Sequence, residues 1–253
     1  MTRTTITRWL RLELSGNRGS LSISLISTSA KMINANLNAI LFDLDNTLID
    51  RSTAVHGYFC SLLQRAAPHL SPRASQQTLQ EIKEHDQLGY SERLVFFQWL
   101  ADHHFPHWTS QELWNDFAEN MPQYIQPEPN CLTLLNQLQQ RYALAVVTNG
   151  SVKVQRAKLK ASHIDQHIDH IFISGETEFE KPDPQLFQLA LQSLSVPSKQ
   201  ALYIGDHPQA DIVGAIDSGM QACWISLNRE FPVELPQPHY QIPSVHSLRS
   251  LLP

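Results

Sequence analysis

Short apolar runs recur along the chain, and each ends abruptly at polar or small residues. They occupy positions 39–42, 144–147, 201–204 and 222–225. Continuous apolar runs of this length are typical of strands that are buried on both faces of a sheet. The pattern therefore predicts buried strands at these positions.

Amphipathic stretches separate the apolar runs. Leu132, Leu135 and Leu138 recur at helical spacing, Asp183–Pro184 offers an N-cap followed by proline at the first helical position, and Gly219 suits a helix C-terminus. The predicted helices cover residues 131–140, 151–162, a stretch from 183 onward, and 210–218. Because strands alternate with helices, we expect an α/β fold with a Rossmann-like parallel sheet and helices on both faces.

Residues 53–124 interrupt this alternation. The segment has no clear buried strand, and it favours helices, for example over residues 91–101 and 110–120. Prolines around residues 122–129 suit a linker back to the sheet. We therefore predict a core built from residues 37–52 and 125–253, with residues 53–124 inserted as a small helical cap.

Polar side chains that could take part in catalysis or binding follow three of the predicted strands. Asp43 and Asp45 follow the first strand, Thr148 begins a Thr-Asn-Gly turn after the second, and Gly205–Asp206 follows the third. In a parallel sheet the carboxyl ends of the strands share one edge, where ligands bind. The sequence thus predicts one site at this edge.

The residue types at that edge suit phosphoryl transfer. One aspartate can attack phosphorus while a second protonates the leaving alcohol. Hydroxyl and backbone N–H groups of residues 148–150 can hold phosphate oxygens, and carboxylates such as Asp206 and Asp211 can bind Mg²⁺. Lys181, which precedes a helix, can place an ammonium against the nucleophile. Each element alone is modest evidence, since it also suits a turn, a helix cap or, for Lys181, a solvated side chain, and their order along the chain strengthens the interpretation.

In that order, the sequence resembles the haloacid dehalogenase superfamily of phosphohydrolases over residues 38–228. The matching motifs are Asp43-x-Asp45-x-Thr47, Thr148, Lys181, and Gly205-Asp206 with Asp211. A segment over residues 211–225 looks like the bacterial branch that contains pyrimidine nucleotidases and phosphatases of flavin metabolism, which act on flavin mononucleotide and ribitylaminouracil phosphate.

The resemblance implies a role for each motif residue. Asp43 is the expected nucleophile and a metal ligand, and Asp45 the general acid and base, giving its backbone carbonyl to the metal. Asp206 is the expected ligand of Mg²⁺, and Asp211 a ligand or a support for one. Phosphate binding is assigned to Thr148, Asn149, Gly150 and Lys181.

The helical segment resembles the family's cap, which closes over the core and selects the substrate. The side chains that could contact the leaving group are Arg51, His56, Tyr58, Tyr90 and Arg93. The expected function is Mg²⁺-dependent hydrolysis of small phosphomonoesters, such as a nucleoside monophosphate, flavin mononucleotide or a sugar phosphate, through an aspartyl-phosphate. Three alternatives share the fold: a phosphomutase, a 2-haloacid dehalogenase and a non-catalytic phosphate-binding protein. Asp45 disfavours the dehalogenase, because that reaction protonates no alcohol.

Composition limits the partners. The 253 residues carry a formal net charge of −5 and no basic block, which argues against nucleic acid binding. No apolar run approaches the ~20 residues needed to span a bilayer. Three widely spaced cysteines suit a reducing compartment. We expect a cytoplasmic monomer or homodimer that binds a small phosphorylated metabolite.

The first 31 residues differ from the rest, with five basic residues against the single acid Glu13. This composition resembles an organelle transit peptide. The alternative is an extension, over about residues 1–36, that lies outside the fold, with Met32 as the true start. Both interpretations place this segment outside the chemistry.

Overall fold

A computed structural model of the protein describes Ile33 and residues 36–252. The expectations for the N-terminal extension lie outside these residues. Within them, parallel strands form one sheet in the order β3-β2-β1-β4-β5-β6. The strands are β1 Ala39–Phe42, β2 Ala143–Thr148, β3 His170–Ile173, β4 Ala201–Gly205, β5 Gln221–Ile225 and β6 Tyr240–Ile242. The α/β fold with a parallel sheet is confirmed.

Helices surround and interrupt the sheet. They are α1 Arg51–Ala66, α2 Pro72–Asp86, α3 Arg93–His103, α4 Ser110–Asn120, α5 Pro129–Leu138, α6 Val152–Ser162, α7 Pro184–Leu194, a π-helix Pro208–Val213, and α8 Gly214–Asp217. Short 3₁₀ turns lie at Gln87–Gly89, Met121–Tyr124, Ile164–Gln166, Ser174–Glu176, Ser198–Gln200 and Val245–Ser250. Helices α1 to α4, called the cap helices below, fill the segment between β1 and β2. The proposed boundaries of core and cap stay a prediction.

Local capping sets where several helices begin. The Glu92 carboxylate accepts hydrogen bonds from the first backbone N–H groups of α3, so this helix starts at Arg93, later than the expected residue 91. Glu128 caps α5 in the same way, and Pro129 occupies its first position. Helix α4 spans Ser110–Asn120 as predicted, closed at its N-terminus by a capping box between Thr109 and Glu112.

Two edge strands escaped prediction from the sequence. Strand β3 begins at the exposed His170 and carries two half-buried residues, and β6 has three residues with the exposed Gln241 at its centre. Edge strands have only one neighbour and bury less surface, so neither segment carries the continuous apolar run that marks β1 and β4.

Alternation along the strands covers both faces of the sheet. Ile40 and Phe42 of β1 belong to one hydrophobic cluster, which extends into the cap helices. Ala39 and Leu41 belong to a second cluster, which packs against α7 and the segment after β4. Successive side chains of a strand point to opposite faces, so each apolar run is buried from both sides. This burial fixes the strand ends that carry the polar residues. Among the residues described, no helix is both long and apolar enough to cross a membrane.

Candidate active site

The carboxyl ends of β1 and β4 bring three acidic side chains together. Asp43 follows β1 and Asp206 follows β4, while Asp211 lies on the π-helix beyond β4. One carboxylate oxygen from each residue lies within 4.8 Å of the others, and all three side chains are buried. The backbone N–H of Asp43 donates to the carbonyl of Ile204 at 2.9 Å, which ties the two strand ends.

A buried lysine faces this cluster. The Nζ of Lys181 donates to Asp43 Oδ1 at 2.6 Å, to Asp211 Oδ1 at 2.7 Å and to the Tyr203 hydroxyl at 2.9 Å. Burial would lower the pKa of Lys181, but the charges of Asp211 and Asp43 raise it by more, so the ammonium stays charged. Lys181 is thereby fixed against the expected nucleophile.

The cluster holds more negative charge than Lys181 can offset. Burial, with added repulsion from the neighbouring acids, holds the pKa of Asp43 well above its ordinary value despite Lys181. Burial and the charge of Asp211 raise the pKa of Asp206 to about 7. Hard carboxylate oxygens with surplus negative charge are the donor set that Mg²⁺ prefers. The residues present therefore fit a divalent cation.

Asp211 supports the site through three hydrogen bonds. Its Oδ1 accepts from Lys181 and, at 3.2 Å, from the Tyr203 hydroxyl, and its Oδ2 accepts from the backbone N–H of His207 at 2.9 Å. A side chain at Gly205 would overlap this carboxylate, so glycine is required beside it. These contacts favour the supporting role among the two expected for Asp211.

The three residues of the Thr-Asn-Gly sequence at the end of β2 make different hydrogen bonds. The Thr148 side chain is buried, and its Oγ1 accepts from Gln155 Nε2 at 2.7 Å. The Asn149 amide clamps the backbone of Lys181, donating to its carbonyl and accepting from its N–H, both at 2.8 Å. The N–H of Gly150 donates to Ser174 Oγ at 3.0 Å. The Asn149 side-chain amide and the Gly150 N–H are thus engaged within the protein, and the phosphate contacts expected of residues 148–150 and Lys181 stay a prediction.

Asp45 has a separate environment. Its two carboxylate oxygens accept from Lys158 Nζ at 2.8 and 2.7 Å, and Oδ2 also accepts from Gln155 Nε2 at 3.1 Å. Burial would raise the pKa of Asp45, but the ammonium of Lys158 and the guanidinium of Arg51 outweigh it and lower this pKa. The carboxylate lies outside the acidic cluster, so its expected bond to metal stays limited to the backbone carbonyl.

Gln155 and Lys158 were not predicted as site residues from the sequence. Both are buried on α6 and lie three residues apart, which places them on one helix face towards the strand ends. The signal that could have identified them is a glutamine and a lysine on the face of the predicted helix that is buried against the sheet. Unpaired polar groups are rarely buried, so such positions call for partners.

A polar contact joins the segment between α2 and α3 to Asp206. The Tyr90 hydroxyl donates to Asp206 Oδ2 at 2.6 Å and lies 2.9 Å from its carbonyl oxygen. Arg229 donates to the Tyr90 hydroxyl at 2.8 Å, and to the carbonyl and Oδ2 of Asp206 at 2.8 and 3.3 Å. Arg229 lies in the loop after β5 and carried no recognisable motif. Tyr90 thus contacts an expected metal ligand, and its expected contact with substrate stays a prediction.

Beside Asp45, a cavity of about 220 Å³ lies between the core and the cap helices. Arg51 and Arg93 line it, as expected for residues near a leaving group, together with Lys158. Arg51 is already held in a two-point ion pair with Asp86, at 2.6 and 2.8 Å. The cavity therefore opens onto the expected general acid.

The structure does not bring the other two cap residues to this cavity. Tyr58 is fully buried among aromatic rings, and its hydroxyl donates to Asp116 at 2.7 Å. His56 is exposed, and its ring nitrogen lies 3.4 Å from the sulfur of Cys60. Both lie on α1: His56, five residues after Arg51, points to another side of the helix, and Tyr58 lies two turns beyond Arg51, among the aromatic rings of the cap helices. Neither residue lines the cavity beside Asp45, and their expected substrate contacts stay a prediction.

Comparison with known families agrees with this arrangement. The family described as haloacid dehalogenase-like hydrolase matches residues 40–225, which include every motif above. The chain belongs to the haloacid dehalogenase-like hydrolases. The expected family and enzyme class are thereby confirmed.

Curated relatives of this family are phosphatases. N-acylneuraminate-9-phosphatase of Rattus norvegicus is 26% identical over 85% of this chain and 94% of its own. The pyrimidine 5'-nucleotidase YjjG of Escherichia coli is 28% identical over 54% of this chain, and the match spans 61% of that enzyme. These relatives support a phosphatase-type hydrolase, and their names differ in substrate.

Solved structures of haloacid dehalogenase-like proteins show the same fold. The hydrolase YfnB of Bacillus subtilis, whose crystal structure contains magnesium, superposes with a TM-score of 0.69 at 24% identity, covering 85% of this chain and 98% of that one. A 2-haloacid dehalogenase from Pseudomonas syringae gives a TM-score of 0.57 at 25% identity, covering 85% and 97%. The fold thus serves both phosphatases and dehalogenases, so the reaction must be argued from the site.

Proposed function

We propose that this protein is a Mg²⁺-dependent phosphomonoester hydrolase that acts through an aspartyl-phosphate on small phosphorylated metabolites, of the nucleoside monophosphate, flavin mononucleotide or sugar phosphate type. The observation that carries the proposal is the position of Asp43. Its carboxylate lies 2.6 Å from Lys181 and within the cluster formed with Asp206 and Asp211. A nucleophile in this setting has an ammonium and an acidic cation site beside the oxygens of the incoming phosphate.

Asp43 and Asp206 would hold the cation, with the backbone carbonyl of Asp45 as a further ligand. When bound, Mg²⁺ supplies positive charge to the phosphoryl oxygens and lowers the repulsion between phosphate and carboxylates. Lys181 contributes a second positive charge at the same place, held by Asp211 and Tyr203. The Thr148 hydroxyl, already an acceptor from Gln155, can donate to a phosphate oxygen.

In the first half of the reaction, a carboxylate oxygen of Asp43 forms a bond to phosphorus as the bond to the ester oxygen breaks. The leaving oxygen takes a proton from Asp45. In the second half, water attacks phosphorus, its proton passes to Asp45, and the phosphate leaves Asp43 as a free carboxylate. The second half returns to Asp45 the proton that the first half gave to the leaving alcohol, so the cycle is balanced.

The ion pair between Asp45 and Lys158 affects the two halves differently. Lys158 favours the ionised carboxylate, which is the form that accepts a proton from water. Acting as the acid requires Asp45 to carry a proton, and the contact with Lys158 opposes that form. The first half is therefore expected to need a change in this contact when substrate enters the adjoining cavity.

The proposal is tested with an aryl phosphate and a panel of nucleotides, flavin mononucleotide and sugar phosphates, with and without Mg²⁺. Wild-type protein should hydrolyse phosphate esters only with the metal, and Asp43→Asn should abolish turnover. Retained turnover in Asp43→Asn would remove the nucleophile from the mechanism. Metal-independent turnover of a 2-haloacid, with no phosphate released from any ester, would instead indicate the dehalogenase reaction.

A further inference from the structure

The cavity beside Asp45 has the composition of a binding site for an anionic group. The charged side chains that line it are three cations, Arg51, Arg93 and Lys158, and two carboxylates, Asp45 and Asp86. On a chain with a formal net charge of −5, a cavity with surplus positive charge is a local feature. Such a cavity concentrates anionic ligands.

Two of the three cations are neutralised within the protein. Arg51 makes its two-point ion pair with Asp86, and Lys158 pairs with both oxygens of Asp45. Arg93 differs: within the described part of the chain it makes no hydrogen bond and no ion pair. The carboxylate of the neighbouring Glu92 accepts hydrogen bonds from the backbone N–H groups at the start of α3. The surplus charge of the cavity is therefore that of Arg93.

The guanidinium of Arg93 is held in place without being neutralised. Its central carbon lies 4.6 Å from the centre of the Trp114 ring, at the distance of a cation–π contact. This contact leaves the edge of the planar guanidinium, with its paired N–H groups, available to a ligand. A carboxylate matches that edge with two parallel hydrogen bonds.

The remaining walls suit an apolar or planar body. Phe96, Phe97, Trp114 and Phe117 line the cap side of the cavity. On the core side, the buried Ser151 Oγ has no hydrogen-bond partner within the described residues, and Ser151 also lines the cavity. A ligand hydroxyl or amide could satisfy this oxygen.

We propose that the leaving group of the substrate carries a carboxylate that Arg93 binds, on an apolar or ring-shaped body held between the cap aromatics. The inference rests on the proposed function, because Asp45 as general acid places the leaving group in this cavity. The proposal narrows the substrate class to phosphomonoesters whose leaving group carries a carboxylate. Arg93 then determines specificity and takes no part in the chemistry at phosphorus.

The test compares 4-carboxyphenyl phosphate with its neutral carboxamide analogue in wild-type protein, Arg93→Gln and Arg93→Lys. Each variant is referred to wild type on the same ester, so differences between the leaving groups cancel. Arg93→Gln should lower kcat/KM about ten- to a hundredfold on the carboxylate, mainly through KM, as expected for a lost charge-assisted hydrogen bond. The loss on the carboxamide should stay below about twofold, and Arg93→Lys should restore part of the carboxylate activity.

Arg73→Gln is the matched control, because Arg73 is another exposed arginine of the cap helices that lines a different cavity. It should leave both esters unchanged. Equal losses of Arg93→Gln on the two esters would overturn the carboxylate site while leaving the phosphatase intact.

Failure of the proposed function has a different signature, namely that neither ester is hydrolysed. Calorimetric titration of both esters into wild type and Arg93→Gln then still decides the binding claim. Tighter binding of the carboxylate ester that is lost in Arg93→Gln supports it. Indistinguishable affinities of the two esters contradict it.

Discussion

The motif Asp43-x-Asp45 places two aspartates beside two buried lysines in opposite electrostatic settings. Asp43 meets Lys181 among two further carboxylates, and its pKa is raised by burial that Lys181 does not offset. Asp45 meets Lys158 with Arg51 nearby, and its pKa is lowered by those cations despite burial. The surroundings of the Asp43–Lys181 pair thus lack positive charge, whereas those of the Asp45–Lys158 pair have enough of it. In the proposed function a divalent cation would complete the Asp43 side, and an anionic substrate would suit the Asp45 side.

The largest effect should follow from removing Lys181. Lys181→Met leaves three buried carboxylates without their ammonium and removes a charge beside the phosphate. Loss of such a preorganised donor should lower kcat by at least ~10³-fold. Steady-state kinetics at saturating Mg²⁺ measures it, with circular dichroism as a check on folding. A folded Lys181→Met protein within tenfold of wild type would show that the Asp43 side does not depend on this charge.

Removing Lys158 should give a smaller effect that depends on the leaving group. Lys158→Met frees Asp45 from its ion pair and disturbs its position as acid and base, so an alkyl phosphate should lose on the order of 10²-fold in kcat. An aryl phosphate with an acidic leaving group should lose less, because its departure needs no proton. Lys160→Met, at an exposed position of the same helix, is the control. Equal losses on both esters would assign Lys158 to folding or phosphate binding.

Arg229 offers a way to sharpen the metal side of the comparison. Its guanidinium lies 3.3 Å from Asp206 Oδ2, so it competes electrostatically with a cation bound there. Arg229→Met should tighten Mg²⁺ binding by a few-fold to about tenfold, measured by calorimetry. Arg249→Met, at an exposed position distant in sequence, should not change the affinity. Weaker Mg²⁺ binding in Arg229→Met would mean that Arg229 chiefly holds Asp206 in place for the metal.

The smallest effect concerns stability against pH without metal. The folded-state pKa of Asp206 is raised to about 7 from an ordinary value of 3.8. Its contribution to the stability of the folded protein is therefore fully present below pH 3.8 and is lost as the pH rises through about 7. The lowered pKa of Asp45 acts in the opposite sense, giving stability above its ordinary pKa that is lost as the pH falls through the lower folded value. Between pH 5 and 8, the effect of Asp206 on stability should exceed that of Asp45.

Thermal denaturation in EDTA tests this sign. The Tm of wild type should fall by at least roughly 3 °C between pH 5 and 8 relative to Asp206→Asn, and Mg²⁺ should remove the difference. The Asp45→Asn protein should retain the decline. Parallel Tm profiles of wild type and Asp206→Asn would argue that Asp206 titrates normally in the folded protein.

The sequence was informative where local pattern and chemistry coincide. Buried runs predicted β1, β2, β4 and β5, and the polar residues at three of their ends predicted the acidic cluster. Those expectations succeeded because a parallel sheet buries its central strands on both faces and aligns their carboxyl ends.

Contacts between distant segments were beyond the reach of the sequence. Lys158 meets Asp45 across 113 positions, and Arg229 meets Asp206 from a loop without motif. Tyr58 was expected at the substrate, whereas its side chain is buried and its hydroxyl donates to Asp116, a partner 58 positions away that no local pattern indicates. Tertiary packing determined these partners, and no local pattern encodes it.

The central claim is a covalent phosphoryl group on Asp43. Wild-type protein is mixed with a phosphate ester and Mg²⁺, quenched in acid within one turnover, digested and analysed by mass spectrometry. The account predicts one phosphoryl group on the peptide that contains residue 43, located on Asp43 and missing from the Asp43→Asn protein. Rapid release of phosphate from the ester with no phosphorylated peptide at any quench time would contradict it.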